Sequence, residues 1–372
     1  MLTPAEVVPY LLRHDLIRPQ TVVVGDVQVF DATRRNANYK VVSAGSPSYL
    51  VKQGVGPERA AMVDGEAAVY RMLHGDAGPT DRHFGRYLPR LCLHDAADHI
   101  LVLELLREAA NLQAYHQRRG RCSPALAAAL GRALGTLHQM PGAPDAGGTT
   151  PGIAIRPAPW VLAIHRPDLH LYHAASQANL RLITTIQRFP QFGGLLDALR
   201  ALWHPGALVH YDMKWENALV APGGARRRRT IKLIDWETAG WGDPCWDAGS
   251  VFGAYLSFWL LSIPITGVDP PDRFLELARY PLSSIQPAMR RFWQAYVRQM
   301  RLDGEMERQW LLRSVCYAAA RLVQTAFEQS QGAVQLTGNA LCFLQVSLNM
   351  LQRPDEAAVH LLGIPPALGP PA

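Results

Sequence analysis

The chain is short of lysine. Of its 37 basic residues only four are lysines, Lys40, Lys52, Lys214 and Lys232, and the rest are arginines. Such a bias reflects codon composition before function, yet it makes each remaining lysine worth placing. Cysteine is scarce too: Cys92, Cys122, Cys245, Cys316 and Cys342 are scattered, odd in number and never spaced C-x-x-C. That excludes a disulfide framework and a cysteine zinc site, and it points to a reducing, cytoplasmic compartment. No apolar run opens the chain. Glu6, Arg13 and Asp15 stand where a signal peptide needs one, so none is expected. Charged residues make up only 18% of the chain and hydrophobic ones 48%, which excludes disorder. A length of 372 residues accommodates one large domain or two medium ones. No internal repeat is present. No aromatic interleaving accompanies the basic residues, so no nucleic-acid partner is expected. The net charge of +6 instead favours a smaller anionic partner.

One stretch, Ala248 to Val268, lacks charge altogether and is long enough to span a bilayer. Gly249, Ser250, Gly253, Ser257, Ser262 and Pro264 dilute it, and its flanks are Asp247 and Asp269 rather than basic residues. A buried core helix is expected there, and no membrane partner.

What is present has a clear change of texture. Thr3-Pro4-Ala5-Glu6 reads as a capping box opening a helix to about Ile17, with Pro9 inside it. Short β-rich runs follow at Val22–Phe30, Tyr39–Ser43 and Tyr49–Gln53. A helix is expected over Arg59–Leu73, then strands at Arg90–His94 and Ile100–Leu105. Together these predict a sheet of about five strands with one inserted helix. Beyond Arg107 the pattern is mainly helical, with helices expected at Ser123–Met140, Asn179–Gln187, Phe192–Trp203, Ala248–Leu261, Ser284–Arg301, Met306–Ser330 and Leu336–Leu351. Pro141–Pro159 reads as a loop and Pro365–Ala372 as a proline-rich tail. Two short β segments, Ala207–Val209 and Ile231–Ile234, bracket the most informative residues.

Those residues are His210-Tyr211-Asp212-Met213-Lys214-Trp215-Glu216-Asn217, then a basic turn, then Ile231-Lys232-Leu233-Ile234-Asp235-Trp236-Glu237. The pattern is strand, H-x-D-x-K-x-x-N, hairpin, strand, D. It matches the catalytic loop and metal-binding aspartate of phosphoryl transfer on a protein-kinase-like scaffold. The chemistry accounts for the spacing. Asp212 meets the acceptor hydroxyl and takes its proton. Asn217 turns back to hold Mg²⁺, and Asp235, ending the next strand, binds the Mg²⁺ that bridges the ATP phosphates.

The segment resembles the catalytic core of the aminoglycoside phosphotransferase and choline kinase-like family. Ile234-Asp235-Trp236-Glu237, Gly242-Asp243-Pro244 and Trp246-Asp247 carry that resemblance. It implies an α+β, bilobal protein-kinase-like fold, with a nucleotide-binding lobe over 1–106 and a helical lobe over 107–372 that carries the catalytic loop. It implies ATP and Mg²⁺ as cofactors. It casts Asp247, with His210, as a structural support of the catalytic loop. Lys52, ending Tyr49-Leu50-Val51-Lys52, falls where such enzymes place the lysine on the α- and β-phosphates, and Glu66 where the helix glutamate orients it. Glu58 and Asp64 compete with Glu66 for that role. Glu104 to Leu106 resembles the hinge whose backbone receives adenine. The phosphate loop departs from the pattern: Ala32 to Asn38 holds no glycine, Asn36 is left to face the phosphates, and Arg34 or Arg35 either touches them or lies in a solvated turn.

The acceptor is open. From Pro141 to Pro205 three acids (Asp145, Asp168, Asp197) meet five arginines, and from Val251 to Gln299 three acids (Asp269, Asp272, Glu276) meet five more. A cationic acceptor needs a carboxylate-lined site, so this balance favours a neutral or anionic one. Lys214 sits where Ser/Thr protein kinases carry the lysine that steadies the transferred phosphate. The candidate acceptors are therefore a hydroxyl-bearing small molecule or Ser/Thr in a peptide. In the second case the chain fits a lanthipeptide-like, bacterial peptide-modifying pathway and works with a partner lyase. The Arg226–Arg229 run would then hold an acidic leader or a phosphate-bearing partner, or simply be a solvated hairpin tip. A pseudokinase scaffold and a membrane-anchored protein are the readings from other classes.

Overall fold

A computed structural model of the chain describes residues 1–33, 36–75, 84–141, 152–223, 229–264 and 276–365. Helix α1 (Pro4–Arg13) opens as its capping pattern predicts: the Glu6 carboxylate accepts from the Thr3 N–H and hydroxyl, both at 2.8 Å. It ends short of Ile17, because Asp15 turns left-handed at φ 55°. The strand expected from Val22 is also corrected. Pro19, with its preset φ, starts a short helix α2 (Pro19–Val23) instead, and extended chain begins only after Gly25 turns at φ 77°.

Strands β1 (Val27–Asp31), β2 (Ala37–Ser43), β3 (Tyr49–Gln53), β4 (Leu91–Asp95) and β5 (Ile100–Glu104) then form one antiparallel sheet in the order β1-β2-β3-β5-β4. Period-2 burial in β2 turns Ala37, Tyr39 and Val41 inward, and α1 lays Val7, Tyr10 and Leu11 into the same cluster. Helix α3 (Pro57–His74) has proline at its first turn and Gly75 left-handed at its end.

The short strand β6 (Ala110–Asn111) leads into α4 (Leu112–Arg119), α5 (Pro124–His138), α6 (Leu169–Ala174), α7 (Gln177–Gln187) and α8 (Pro190–Ala201). Next come β7 (Ala207–Val209), the hairpin β8 (Ala218–Pro222) and β9 (Arg229–Leu233), and β10 (Gly240–Gly242). Helices α9 (Pro244–Leu260), α10 (Leu282–Met300), α11 (Gly304–Gln329), α12 (Gly338–Gln352) and α13 (Pro354–His360) complete the chain. The architecture is α+β, an antiparallel five-stranded sheet and a mainly helical remainder.

Two compact units result. The first holds Met1–Leu112, residues 152–154 and Glu216–Ala239; the second holds the other described residues. The sequence division at 106/107 put the hairpin with the helices. In the structure β8 pairs with β6, which draws Glu216–Ala239 into the sheet unit. Helix α9 is apolar and buried on nearly every side, which accounts for its uncharged sequence. Among the described residues no helix is long and apolar enough to cross a membrane.

Candidate active site

In the first unit, β3 delivers Lys52 into the interior, 7% exposed. Its ammonium donates to both Glu66 oxygens, at 3.1 and 2.9 Å, and to Asp235 Oδ1 at 2.9 Å. Burial alone would lower the Lys52 pKa, but Glu66 and Asp235 overcome it and hold the value above that of a free lysine. Glu66 is fully buried and also accepts from the Trp236 N–H at 3.3 Å, so one carboxylate fixes the lysine and the chain just after Asp235. Of its competitors, Glu58 is exposed and Asp64 binds His94 and His99, each at 2.8 Å. Asn217 enters β8 and Asp235 leaves β9; the Ile234 N–H donates to the Asn217 carbonyl at 3.0 Å and keeps the two segments adjacent. Asp235 itself is left-handed at φ 67°, a conformation a non-glycine residue holds only where its surroundings impose it. Asn36, just before β2, donates to Glu237 at 3.3 Å. At the segment expected to be the hinge, the N–H of Glu104 is engaged to Arg90 O at 2.9 Å and that of Leu105 to Ser48 O at 2.8 Å, while Leu106 O accepts from Ala109 N at 3.1 Å.

In the second unit, β7 pairs with β10 and delivers His210-Tyr211-Asp212. Asp247, on the first turn of α9, is fully buried. It accepts from the His210 N–H at 2.7 Å and the Tyr211 N–H at 3.0 Å, and His138 Nε2 lies 3.3 Å away. Trp246 Nε1 donates to Tyr211 O at 2.7 Å. These contacts clamp Tyr211 in a left-handed turn, φ 69°. The turn presents Asp212, whose Oδ2 receives the Lys214 ammonium at 2.6 Å. Burial opposes the Lys214 charge, but Asp212 outweighs it and raises the lysine pKa. Nη2 of Arg321, on α11, lies 3.8 Å from Asp212 Oδ1.

Comparison with known proteins decides the family. The profile of the phosphotransferase enzyme family matches residues 26–268. The chain belongs to the phosphotransferase enzyme family. A solved choline kinase from Cryptosporidium parvum is 12% identical, aligned over 96% of this phosphotransferase and 98% of that chain, with a TM-score of 0.55. Choline kinase LicA from Streptococcus pneumoniae is 14% identical, covering 91% and 99%, with a TM-score of 0.41. A macrolide 2′-phosphotransferase type I is 14% identical, covering 94% and 98%, with a TM-score of 0.48. Among curated proteins none matches significantly. The first of these structures confirms the protein-kinase-like fold.

The phosphotransferase thus gathers Lys52, Glu66, Asp235 and Asn217 in its first unit, and Asp212 and Lys214 in its second. Sequence reasoning missed Arg321. Its one signal was a charge directly after Ala318-Ala319-Ala320 within the helix expected over Met306–Ser330. Arg34, Arg35 and residues 226–228 lie outside the described residues, as do 265–268 of the uncharged stretch, 142–151 of the loop and 366–372 of the tail. Among the described residues no group of three or more His, Cys, Asp or Glu could hold a metal ion. Mg²⁺ in phosphoryl transfer needs no such cage: it takes one or two protein oxygens and completes its shell with phosphate and water. Asn217 and Asp235, hard-oxygen donors on segments joined by the Ile234 hydrogen bond, fit that demand. A cavity of about 440 Å³ in the second unit, lined by Trp259, Asn349, Met350, Arg353 and His360, contains none of these residues.

Proposed function

We propose that this phosphotransferase moves the γ-phosphate of ATP to an alcohol oxygen. Asp212 accepts the hydroxyl proton as the oxygen–phosphorus bond forms and ADP leaves. Lys214, on the same carboxylate, steadies the phosphoryl group in transit. Lys52, oriented by Glu66, pairs with the α- and β-phosphates. Asn36 borders the phosphates and the backbone at Glu104 to Leu106 receives adenine; with the N–H groups of Glu104 and Leu105 already engaged, Leu106 carries the donor role. Asn217 and Asp235 would hold Mg²⁺, which neutralises phosphate charge. The five free thiols fit a cytoplasmic setting.

The observation that carries this reading is the buried ion cluster of Lys52 with Glu66 and Asp235. A buried lysine and a buried glutamate beside a half-buried aspartate are expensive without a task, and this task uses all three. A pseudokinase scaffold has no use for the complete set. Lys214 on the base sustains a second reading of the acceptor, Ser/Thr in a peptide processed with a partner lyase.

The test is transfer from γ-labelled ATP with Mg²⁺ to panels of small alcohols and Ser/Thr peptides. Wild type labels an acceptor, and Asp212→Asn slows transfer by about a hundredfold or more. A wild type that binds Mg-ATP, labels nothing and consumes no ATP sinks the proposal.

A further inference from the structure

Arg321 is a buried charge whose own unit leaves it hydrogen-bond donors to spare. It is 6% exposed. Its guanidinium lies over the Trp246 ring at 5.5 Å, and the nearest carboxylate oxygen, Asp212 Oδ1, is 3.8 Å away. That separation is too long for a hydrogen bond, and among the described residues the guanidinium donates none. A guanidinium carries five N–H donors, and no Arg321 nitrogen is among the buried atoms left without a partner, so its donors reach solvent, where an incoming anion can meet them. The placement is also built in. Gly253 of α9 lets α11 approach so closely that a Cβ there would sit 2.9 Å from Arg321 Cβ. Asp212 therefore faces a cation from each side, Lys214 on one oxygen and Arg321 near the other.

We infer that Arg321 is the receptor for an oxyanion carried by the acceptor, so that the preferred acceptor bears a carboxylate or phosphate close to its reacting hydroxyl. The inference rests on the reading of Asp212 as the base. The anion's oxygen lies within about 9 Å of the hydroxyl, one hydrogen bond at each end of the 3.8 Å gap. Charge runs the same way. Lys214 and Arg321 flank the two oxygens of Asp212, so a cationic acceptor meets a cation on either side of the base. Of the acids counted in the sequence, Asp145, Asp269 and Asp272 lie outside the described residues, and two of the others are engaged elsewhere. Asp197 is held by Arg166 and His165, and Asp168 caps α6 through the Leu171 N–H at 2.7 Å. Glu328, two turns along α11, takes a hydrogen bond from Gln324 at 2.8 Å and offsets part of the Lys214 charge, whereas no acid but Asp212 lies within 4 Å of Arg321 among the described residues.

The experiment uses the full chain with Mg-ATP and matched acceptors: glycerate against glyceramide, glycerol 3-phosphate against glycerol, with choline and an aminoglycoside as cations. The anionic member of a pair is expected to exceed its neutral partner at least tenfold in kcat/KM, and the two pairs separate carboxylate from phosphate. In Arg321→Gln that ratio falls to within about twofold through the acceptor KM, and Arg321→Lys restores part of it. In parallel, the Arg321 Nε–Hε signal of wild type, assigned by its loss in Arg321→Gln, is expected to shift saturably with glycerate or glycerol 3-phosphate.

Equal use of neutral acceptors, or preference for a cation, overturns the inference and leaves the phosphotransferase intact. So does an Arg321→Gln variant in which both members of each pair fall alike, the signature of a structural role or of contact with the phosphoryl group of ATP. If no panel member is phosphorylated, the titration decides: a saturable shift supports the receptor and its absence overturns it. A wild type that consumes no ATP with any acceptor strikes the phosphotransferase reading instead, and the titration still reports on Arg321.

Discussion

At the residue scale, burial and neighbours decide which groups hold charge. The residues that the proposed transfer uses stand out in the sequence by their spacing: Lys52 at a strand end, Asp212 and Asn217 five apart, Asp235 after a hairpin. Glu66 shares helix α3 with Glu58 and Asp64, and its burial and its contact with Lys52 separate it from them. Arg321 was not legible, because it is one of 33 arginines and Asp212 lies far from it in sequence. Nor was His116 on α4. Its ring is fully buried 4.7 Å from the Trp215 ring, its Nε2 accepts from the Ser123 N–H at 3.3 Å, and burial lowers its pKa to about 4. The unfolded chain takes up that proton near pH 6.5, so the unfolded state binds protons first as pH falls. The stability His116 confers is therefore complete above about pH 6.5 and is lost on descent toward pH 4, a change of about 3 kcal/mol. His116→Gln keeps an acceptor for Ser123 and removes the titration. Urea unfolding at stepped pH should show a flatter profile between those limits; an unchanged slope would place the acid sensitivity elsewhere.

At the element scale, strong periodicity was readable and close approach was not. The five-stranded sheet and the long helices followed from alternation and 3.6-residue spacing. Helices α4, α6 and α13 and strands β6 and β10 are too short to show a period. The glycines of α9 looked like dilution of an apolar run. They are contact points: a Cβ at Gly249 would meet Ser314 O at 2.6 Å and Tyr317 Cβ at 2.7 Å. The obstacle is partly backbone, which cannot rotate away. Gly249→Ala is expected to destabilise the protein by about 1–3 kcal/mol and to lower transfer, since α11 carries Arg321. Gly65→Ala on α3 is the control, because nothing lies within 4 Å of its added carbon. There the gain in helix propensity should stabilise by about 0.5–1 kcal/mol. Chemical denaturation of both variants checks the contrast. Equal effects would mean that helix propensity, and not the α9–α11 contact, governs Gly249.

At the scale of the whole molecule, the lysine count takes on a different meaning. Lys52 and Lys214 occupy an ion cluster in each unit, while Lys232 donates to Leu88 O at 2.8 Å from β9 of the hairpin. The proposed nucleotide contacts, Lys52, Asn217 and Asp235, all belong to the first unit, and the proposed base belongs to the second. Nucleotide binding is thus separable from transfer. A ligand held by the folded state alone stabilises by about 2.7 kcal/mol at a hundred times its Kd. Mg-ATP should deliver that increment in wild type and in Asp212→Asn. Chelating the metal, or replacing Asp235 by Asn, should remove most of it. Lys52 keeps Glu66 in that variant, so the fold is retained. Hydrogen exchange locates the effect: amides of β2, β3, β8 and β9 should slow with Mg-ATP, and those of α12 should not. Equal protection of α12 would show that the two units open as one. A wild type whose exchange ignores the nucleotide would remove Lys52, Asn217 and Asp235 from the site.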